Sequence, residues 1–140
     1  MKKVAVVYWS GTGNTEQMAE LVAAGAKEAG AEVAVFTAGD FDADKVADYD
    51  ALAFGCSAQG DEVLEEDEFE PMFAACEPAL AGKAVALFGS YGWGDGQWMR
   101  DWEERCQGAG ITLAAESVIC NDAPDSDGEA ACKALGKALA

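Results

Sequence analysis

An apolar run, Val4-Ala5-Val6-Val7-Tyr8-Trp9, breaks off at Ser10-Gly11-Thr12-Gly13-Asn14-Thr15, and an amphipathic run opens at Glu16. This juncture constrains the fold more than any other stretch. A continuously apolar strand has both faces covered, and a strand that turns straight into a helix packs that helix back on its own sheet. At the turn, free N–H groups and the helix dipole converge on one point. The loop has two glycines for close backbone approach, four short polar side chains, and no Lys, Arg or His. It can therefore hold a phosphate by N–H and O–H donors alone, leaving the phosphate charge without a cation. A Walker loop needs a Gly-Lys-Ser/Thr, and the dinucleotide fingerprint needs a third glycine where this chain has Glu16. The plain alternative is a generic strand–helix turn with a glycine pair. The favoured reading is a pocket for one terminal phosphate monoester.

The alternation repeats down the chain. Residues 16–29 read as a helix with Met18, Leu21, Val22 and Gly25 on one face and Gly30 as its stop. Strands are expected over 4–9, 32–36, 50–55 and 83–89, with an interrupted fifth over 111–113 and 118–120. Further helices are expected over 42–48 with Val46 inward, over 68–77, over 97–107, and from an Asp125 or Ser126 cap to about Leu139. Trp98 and Trp102, one turn apart, read as core residues. Five strands alternating with helices mean an α/β fold, a doubly wound parallel sheet in three layers. Ligands of such sheets bind beyond the strand C-termini, at the point where strand order reverses. The loops 10–15, 57–62 and 90–96 all lie there.

Charge and length narrow the partners. The 140 residues suit a single domain spanning 1–140. Twenty-six acids against nine basic residues give a formal charge of −17, with no histidine. Nucleic acid and anionic membrane are poor partners for such a surface. Imidazole chemistry, as general base or metal ligand, is excluded. The charge suits docking on basic surfaces. Cys56, Cys76, Cys106, Cys120 and Cys132 form no CxxC and no tight cluster, so they read as ordinary, partly buried thiols rather than a disulfide framework or a metal site. No run approaches a membrane span, and Met1-Lys2-Lys3 leads directly into a strand, so a cytoplasmic location is expected.

Trp93 sits between Gly92 and Gly94 in the loop Ser90-Tyr91-Gly92-Trp93-Gly94-Asp95-Gly96. Three readings stand for it: a surface aromatic, a partner hot spot, or a stacking plate for a flat ligand. Ser57 adds a hydroxyl within reach of the phosphate, and Gly60-Asp61 is a turn-forming pair. A phosphate at one end, exposed N–H groups around a flat ring at the other, and a Trp lid together describe a flavin mononucleotide (FMN) pocket.

Three motifs then carry a resemblance over essentially the whole chain: Tyr8-Trp9-Ser10-Gly11-Thr12-Gly13-Asn14-Thr15, Gly55-Cys56-Ser57-Ala58-Gln59-Gly60-Asp61-Glu62, and Phe88-Gly89-Ser90-Tyr91-Gly92-Trp93-Gly94-Asp95-Gly96. The sequence resembles the short-chain flavodoxins of the clostridial type. That resemblance implies the strand order 2-1-3-4-5, which is the order the flavodoxin fold exemplifies. It implies that Ser10, Thr12, Asn14, Thr15 and Ser57, with the backbone of Gly11 and Gly13, hold the FMN phosphate. Trp93 would cover the outer ring face, with Ser90, Tyr91 and Asp95 in the same loop. Ala58, Gln59, Gly60, Asp61 and Glu62 would flank the inner face and the N5/N3 edge, and Gly92 to Gly94 the pyrimidine side. The Gly60–Asp61 peptide would turn over on reduction. Close relatives often carry Met where this chain has Gln59.

The implied function is a low-potential one-electron carrier that shuttles electrons between redox enzymes in place of ferredoxin, as a monomer. The flavin carries the chemistry and the protein tunes it. Seven acids among residues 60–70 and an uncompensated phosphate disfavour added negative charge. A few kcal/mol of such repulsion is on the order of 100–200 mV for a one-electron couple. The alternative is an FMN-dependent NAD(P)H:quinone reductase of the same fold, which needs a second pocket and cationic groups that nine scattered basic residues scarcely offer. A receiver domain would need acids where Tyr8-Trp9 and Gly55-Cys56 stand, and a low-molecular-weight phosphatase a Cys in the first loop and a nearby Arg.

Overall fold

The computed structural model describes residues 2–11, 13–59, 63–92 and 94–140. Its elements in chain order are β1 (Lys3–Trp9), α1 (Asn14–Glu28), β2 (Glu32–Thr37), α2 (Ala43–Val46), β3 (Ala51–Cys56), α3 (Phe69–Cys76), β4 (Ala84–Tyr91), α4 (Gln97–Gly108), β5 (Thr112–Leu113), β6 (Val118–Asn121) and α5 (Ser126–Leu139). All strand pairings are parallel, and the order is β2-β1-β3-β4-β5, with β6 also on β4. The expected α/β sheet and its order are therefore present. The interrupted fifth strand is real: β5 pairs with Ala84 and Val85 at the start of β4, and β6 with Phe88 to Tyr91 at its end.

Strands this apolar need cover on both sides, and they have it. Along β1, Val4 and Val6 face one cluster with Met18, Ala19 and Val22 of α1 and Leu135 and Leu139 of α5. Ala5 and Val7 face the other, with Phe69 and Phe73 of α3 and Trp98 and Trp102 of α4. Both tryptophans are core residues, each about 1% exposed. All five cysteines are buried free thiols, which goes beyond the partial burial expected of them.

The element ends differ from the sequence reading for identifiable reasons. Helix α1 starts at Asn14, two residues before the expected Glu16, because Gly13 at φ 93° provides the left-handed N-cap. Strand β4 runs on to Tyr91, past the expected end at 89, because β6 supplies backbone partners for its last residues. Helix α3 is held at its start by Glu65. The buried carboxylate accepts N–H bonds from Asp67, Glu68 and Phe69 at 2.9, 2.8 and 2.8 Å. Asp42 and Asp125 cap α2 and α5, accepting from Lys45 N and Gly128 N.

Candidate functional site

At the C-terminal edge of the sheet, β1, β3, β4 and β6 end side by side, and the loops that leave them meet. A cavity of about 290 Å³ opens there, lined by Gly11, Asn14, Ser57, Ala58, Gln59, Ser90, Tyr91, Gly92 and Asp122. All three loops singled out in the sequence contribute to it. None of its described lining residues is basic.

In the cavity wall, one buried serine joins the loops. Ser90 N donates to Thr15 Oγ1 at 3.2 Å, Ser90 O accepts from Ala58 N at 3.1 Å, and Ser90 Oγ donates to the Asp122 carbonyl at 2.7 Å. Thr15 is fully buried, and its hydroxyl lies 2.6 Å from Ser57 Oγ. Thr15 thus stands behind Ser57 and sets its hydroxyl, while Ser57 faces the cavity. Ser10 has a similar supporting place, its Oγ accepting from Gly13 N at 3.0 Å. The turn it closes lets α1 present its N-terminus with Asn14 at the cavity wall. An anion placed there meets hydroxyls, an amide side chain and the positive end of a fifteen-residue helix.

The floor is equally constrained. A Cβ on Gly89 would sit 2.2 Å from the Cys56 carbonyl, and one on Gly55 would enter the Phe88 ring, so β3 and β4 approach only because both are glycine. Trp98 Nε1 uses that carbonyl, donating to Cys56 O at 3.2 Å. Cys56 itself is no nucleophile: burial pushes its thiol up to about 12, and its sulfur donates to Ser57 O and accepts from Glu65 N. It ties the Ser57 turn to the capped start of α3.

Beyond Ser57 the chain makes a short antiparallel bridge, Gln59 with Val63, with backbone bonds of 2.9 Å in both directions. The Gln59 side chain donates to the Ala58 carbonyl at 3.1 Å. Asp95 is drawn away from the cavity: Arg100 donates to its carboxylate at 2.9 Å and to its carbonyl at 3.1 Å, fixing the start of α4. Gly94, at φ 85°, lines no part of the cavity. Thr12, Gly60, Asp61, Glu62 and Trp93 lie outside the described residues, and the readings that fall on them are taken up as proposals below.

Asp122 was missed by sequence reasoning. It follows β6, adopts φ 59°, and donates its N–H to the Tyr91 carbonyl at 2.8 Å. The available signal was its position at the end of the fifth strand, since every parallel strand of such a sheet ends on the ligand side.

A cavity at the reversal of strand order, bounded by a hydroxyl-rich strand–helix turn, sets the context for comparison with known proteins. The flavodoxin family model matches residues 6–136. A flavodoxin of Clostridium beijerinckii is 51% identical over 135 residues, covering 96% of this chain and 97% of the relative. The flavodoxin of Megasphaera elsdenii is 47% identical over 137 residues, covering 98% of each. The chain belongs to the flavodoxin family. The solution structure of two-electron reduced Megasphaera elsdenii flavodoxin superposes with a TM-score of 0.90 over 97% of both chains, at 47% identity. The cofactor of a flavodoxin is FMN, and its work is electron transfer rather than enzymatic catalysis. The donor set seen here fits that group. Ser57, Asn14 and the α1 N-terminus offer a phosphate monoester neutral donors, and Gln59, Tyr91 and Gly92 line the same cavity.

Proposed function

We propose that this chain is a low-potential one-electron carrier that takes electrons from one redox enzyme and passes them to another, in the role ferredoxin fills elsewhere. It would do so in the cytoplasm, as a monomer and a single FMN-binding domain. No described helix is long and apolar enough to cross a membrane. When bound, FMN supplies the electron chemistry. The residues hold and tune it: Ser57, Asn14 and the backbone of Gly11 and Gly13 take the phosphate, with Ser10, Thr15 and Ser90 holding those donors in place. Ala58, Gln59, Tyr91 and Gly92 flank the ring, while Gly94 and Asp95, further along their loop, support it from outside the cavity wall. Thr12, Gly60, Asp61, Glu62 and Trp93 join the site on the strength of the resemblance, Trp93 as the outer cover.

The observation that carries the reading is the cavity's donor chemistry. A phosphate there is bound without a described cation, and the one charged residue of the described lining, Asp122, is an acid, as are the exposed Glu66, Asp67 and Glu68 of the chain that follows the second loop. Added negative charge on the ring meets charge that nothing nearby neutralises, and this lowers the potential. The same acids, in a chain of −17, suit partners with basic docking faces, whose association slows as salt rises.

Ser57→Ala tests the phosphate assignment. It should weaken FMN binding by roughly 1–2 kcal/mol, about tenfold, and leave riboflavin, which lacks the phosphate, bound as before. Equal losses for both ligands would overturn the assignment. Mixed with NADH or NADPH alone the loaded protein should reduce negligibly, yet accept electrons from a reductase with a basic face; rapid direct reduction would overturn the carrier reading.

A further inference from the structure

The cofactor site uses neither Cys120 nor Cys132, yet the fold sets these two thiols against each other. Cys120 is the third residue of β6, and Cys132 lies in the second turn of α5. Both belong to the same buried cluster, and the two thiols lie close enough to influence each other's titration. A second observation places the Cys120 sulfur independently. A Cβ on Gly128 would lie 2.8 Å from Cys120 Sγ, so that sulfur is seated over the first turn of α5. Gly128 and Cys132 are four residues apart, one above the other on the same helix face. The bare glycine thus makes room for one thiol directly beside the other.

Cys120 also borders open space. A groove of about 340 Å³ runs between β6 and the start of α5, lined by Val118, Cys120, Ala123, Asp125, Gly128 and Ala131, with Asp127 at its edge. Cys132 is fully buried behind it. The pair therefore has an outer sulfur that a small molecule can reach and an inner one that only its neighbour can reach. The acids of the groove favour a visitor that carries positive charge.

We propose that Cys120 and Cys132 form a dithiol–disulfide site, oxidised by exchange with a small cationic disulfide. Cys120, as thiolate, attacks one sulfur of the reagent; that S–S bond breaks, and one thiol leaves with the proton Cys120 gave up. Cys132, as thiolate, then attacks Cys120 Sγ, forming the internal disulfide and releasing the second thiol with its proton. Two protein thiols are oxidised and one external disulfide is reduced to two thiols, so atoms and electrons balance. Burial raises both thiols, Cys132 to about 12 and Cys120 less far, because its neighbour's S–H favours its anion. The outer cysteine is thus the better first nucleophile, and the exchange is slow at neutral pH. The bond would pin β6 to α5 two residues before Asp122, whose carbonyl accepts from Ser90 in the wall of the FMN cavity.

The test is incubation of the FMN-loaded protein with cystamine, followed by thiol counting, intact mass and digestion at the acidic residues between the two cysteines. Free thiols should fall from five to three, with a loss of two hydrogens in mass. One linked fragment pair should carry Cys120 and Cys132, and dithiothreitol should reverse it. Cys120→Ser and Cys132→Ala should each form no internal bond. The proposal is overturned if the wild type keeps five thiols, stops at a persistent mixed disulfide on Cys120, or closes a different pair.

Discussion

On one face of the sheet α1 and α5 meet backbone to backbone, while on the other α3 and α4 are held apart by stacked and crossed rings. A Cβ on Gly25 would lie 2.1 Å from the Lys133 carbonyl, and one on Gly136 would lie 2.0 Å from the Val22 carbonyl. Small residues of α1, Ala19, Ala23 and Ala26, are buried as well. Across the sheet, Phe69 and Phe73 stack at 6.1 Å, and Trp102 meets both edge-on at 5.4 and 5.5 Å. Arg105 closes this layer from outside. Its guanidinium lies 5.1 Å over the Phe73 ring, pairs with both Glu70 oxygens at 2.7 Å, and also bonds Glu77. The two layers are thus limited by opposite things. The glycine face has no room to add volume, and the ring face has none to lose.

The cofactor loops inherit this difference. The side of the cavity lined by Gly11 and Asn14 hangs from α1, whose seat against α5 is set by main-chain contact that no side-chain rotation can relax. The ring side hangs from α3 and α4, whose spacing depends on side chains that can repack. The α1 end is accordingly the more rigidly placed end of the cavity.

The comparison can be broken most directly from the ring side. Phe73→Ala removes a fully buried ring that touches Phe54, Phe69 and Trp102 and carries Arg105 on its outer face. It should cost about 4 kcal/mol, read as a lower urea midpoint of the FMN-loaded protein. Loss of under about 1 kcal/mol would mean the layer collapses freely around the gap. Gly136→Val is the converse change. Its Cβ would collide with the Val22 carbonyl and the Ala26 nitrogen, backbone atoms that no rotamer change can move, and about 3 kcal/mol of destabilisation is expected. FMN binding should weaken with it as α1 shifts, whereas the same substitution at Gly108, where a Cβ meets nothing, serves as the control.

The smallest effect sharpens the picture at the boundary between the layers and the site. Burial alone would raise the Glu65 carboxyl, but the N–H bonds from Phe69, Glu68 and Asp67 outweigh it and hold it below the ordinary carboxylate value. A folded-state value below the unfolded one contributes stability that is present above the unfolded pKa and is lost as pH falls through the folded one. Glu65→Gln should therefore cost about 1 kcal/mol at pH 7, and that difference should shrink below about pH 4.3 as the wild-type carboxylate takes up its proton. A gap between the two proteins that stays constant from pH 7 to pH 3 would rule out the charge of Glu65 as the source.

Much of this protein was decided by local pattern. Apolar runs bounded by glycine and polar turns set the strands, because a run with no polar face must be covered on both sides. The hydroxyl-rich turn at Ser10 to Thr15 pointed to an anion site, because a helix N-terminus favours negative charge. Trp98 and Trp102 declared themselves core by their spacing, and their burial agrees. What residues did behind the wall was not legible. Thr15 and Ser57 are 42 residues apart, and the 2.6 Å contact that makes one the support of the other exists only once β1 lies beside β3. Asp122 reaches the cavity because β6 pairs with the end of β4 across a break in the fifth strand. Gly136 looked like any helical glycine, and only the carbonyl of Val22 at 2.0 Å gives it a purpose. Sequence pattern reports what each segment prefers on its own. Close approach between segments distant in the chain is a property of their packing, and it was the tertiary structure that decided which hydroxyl faces the cavity and which glycine cannot change.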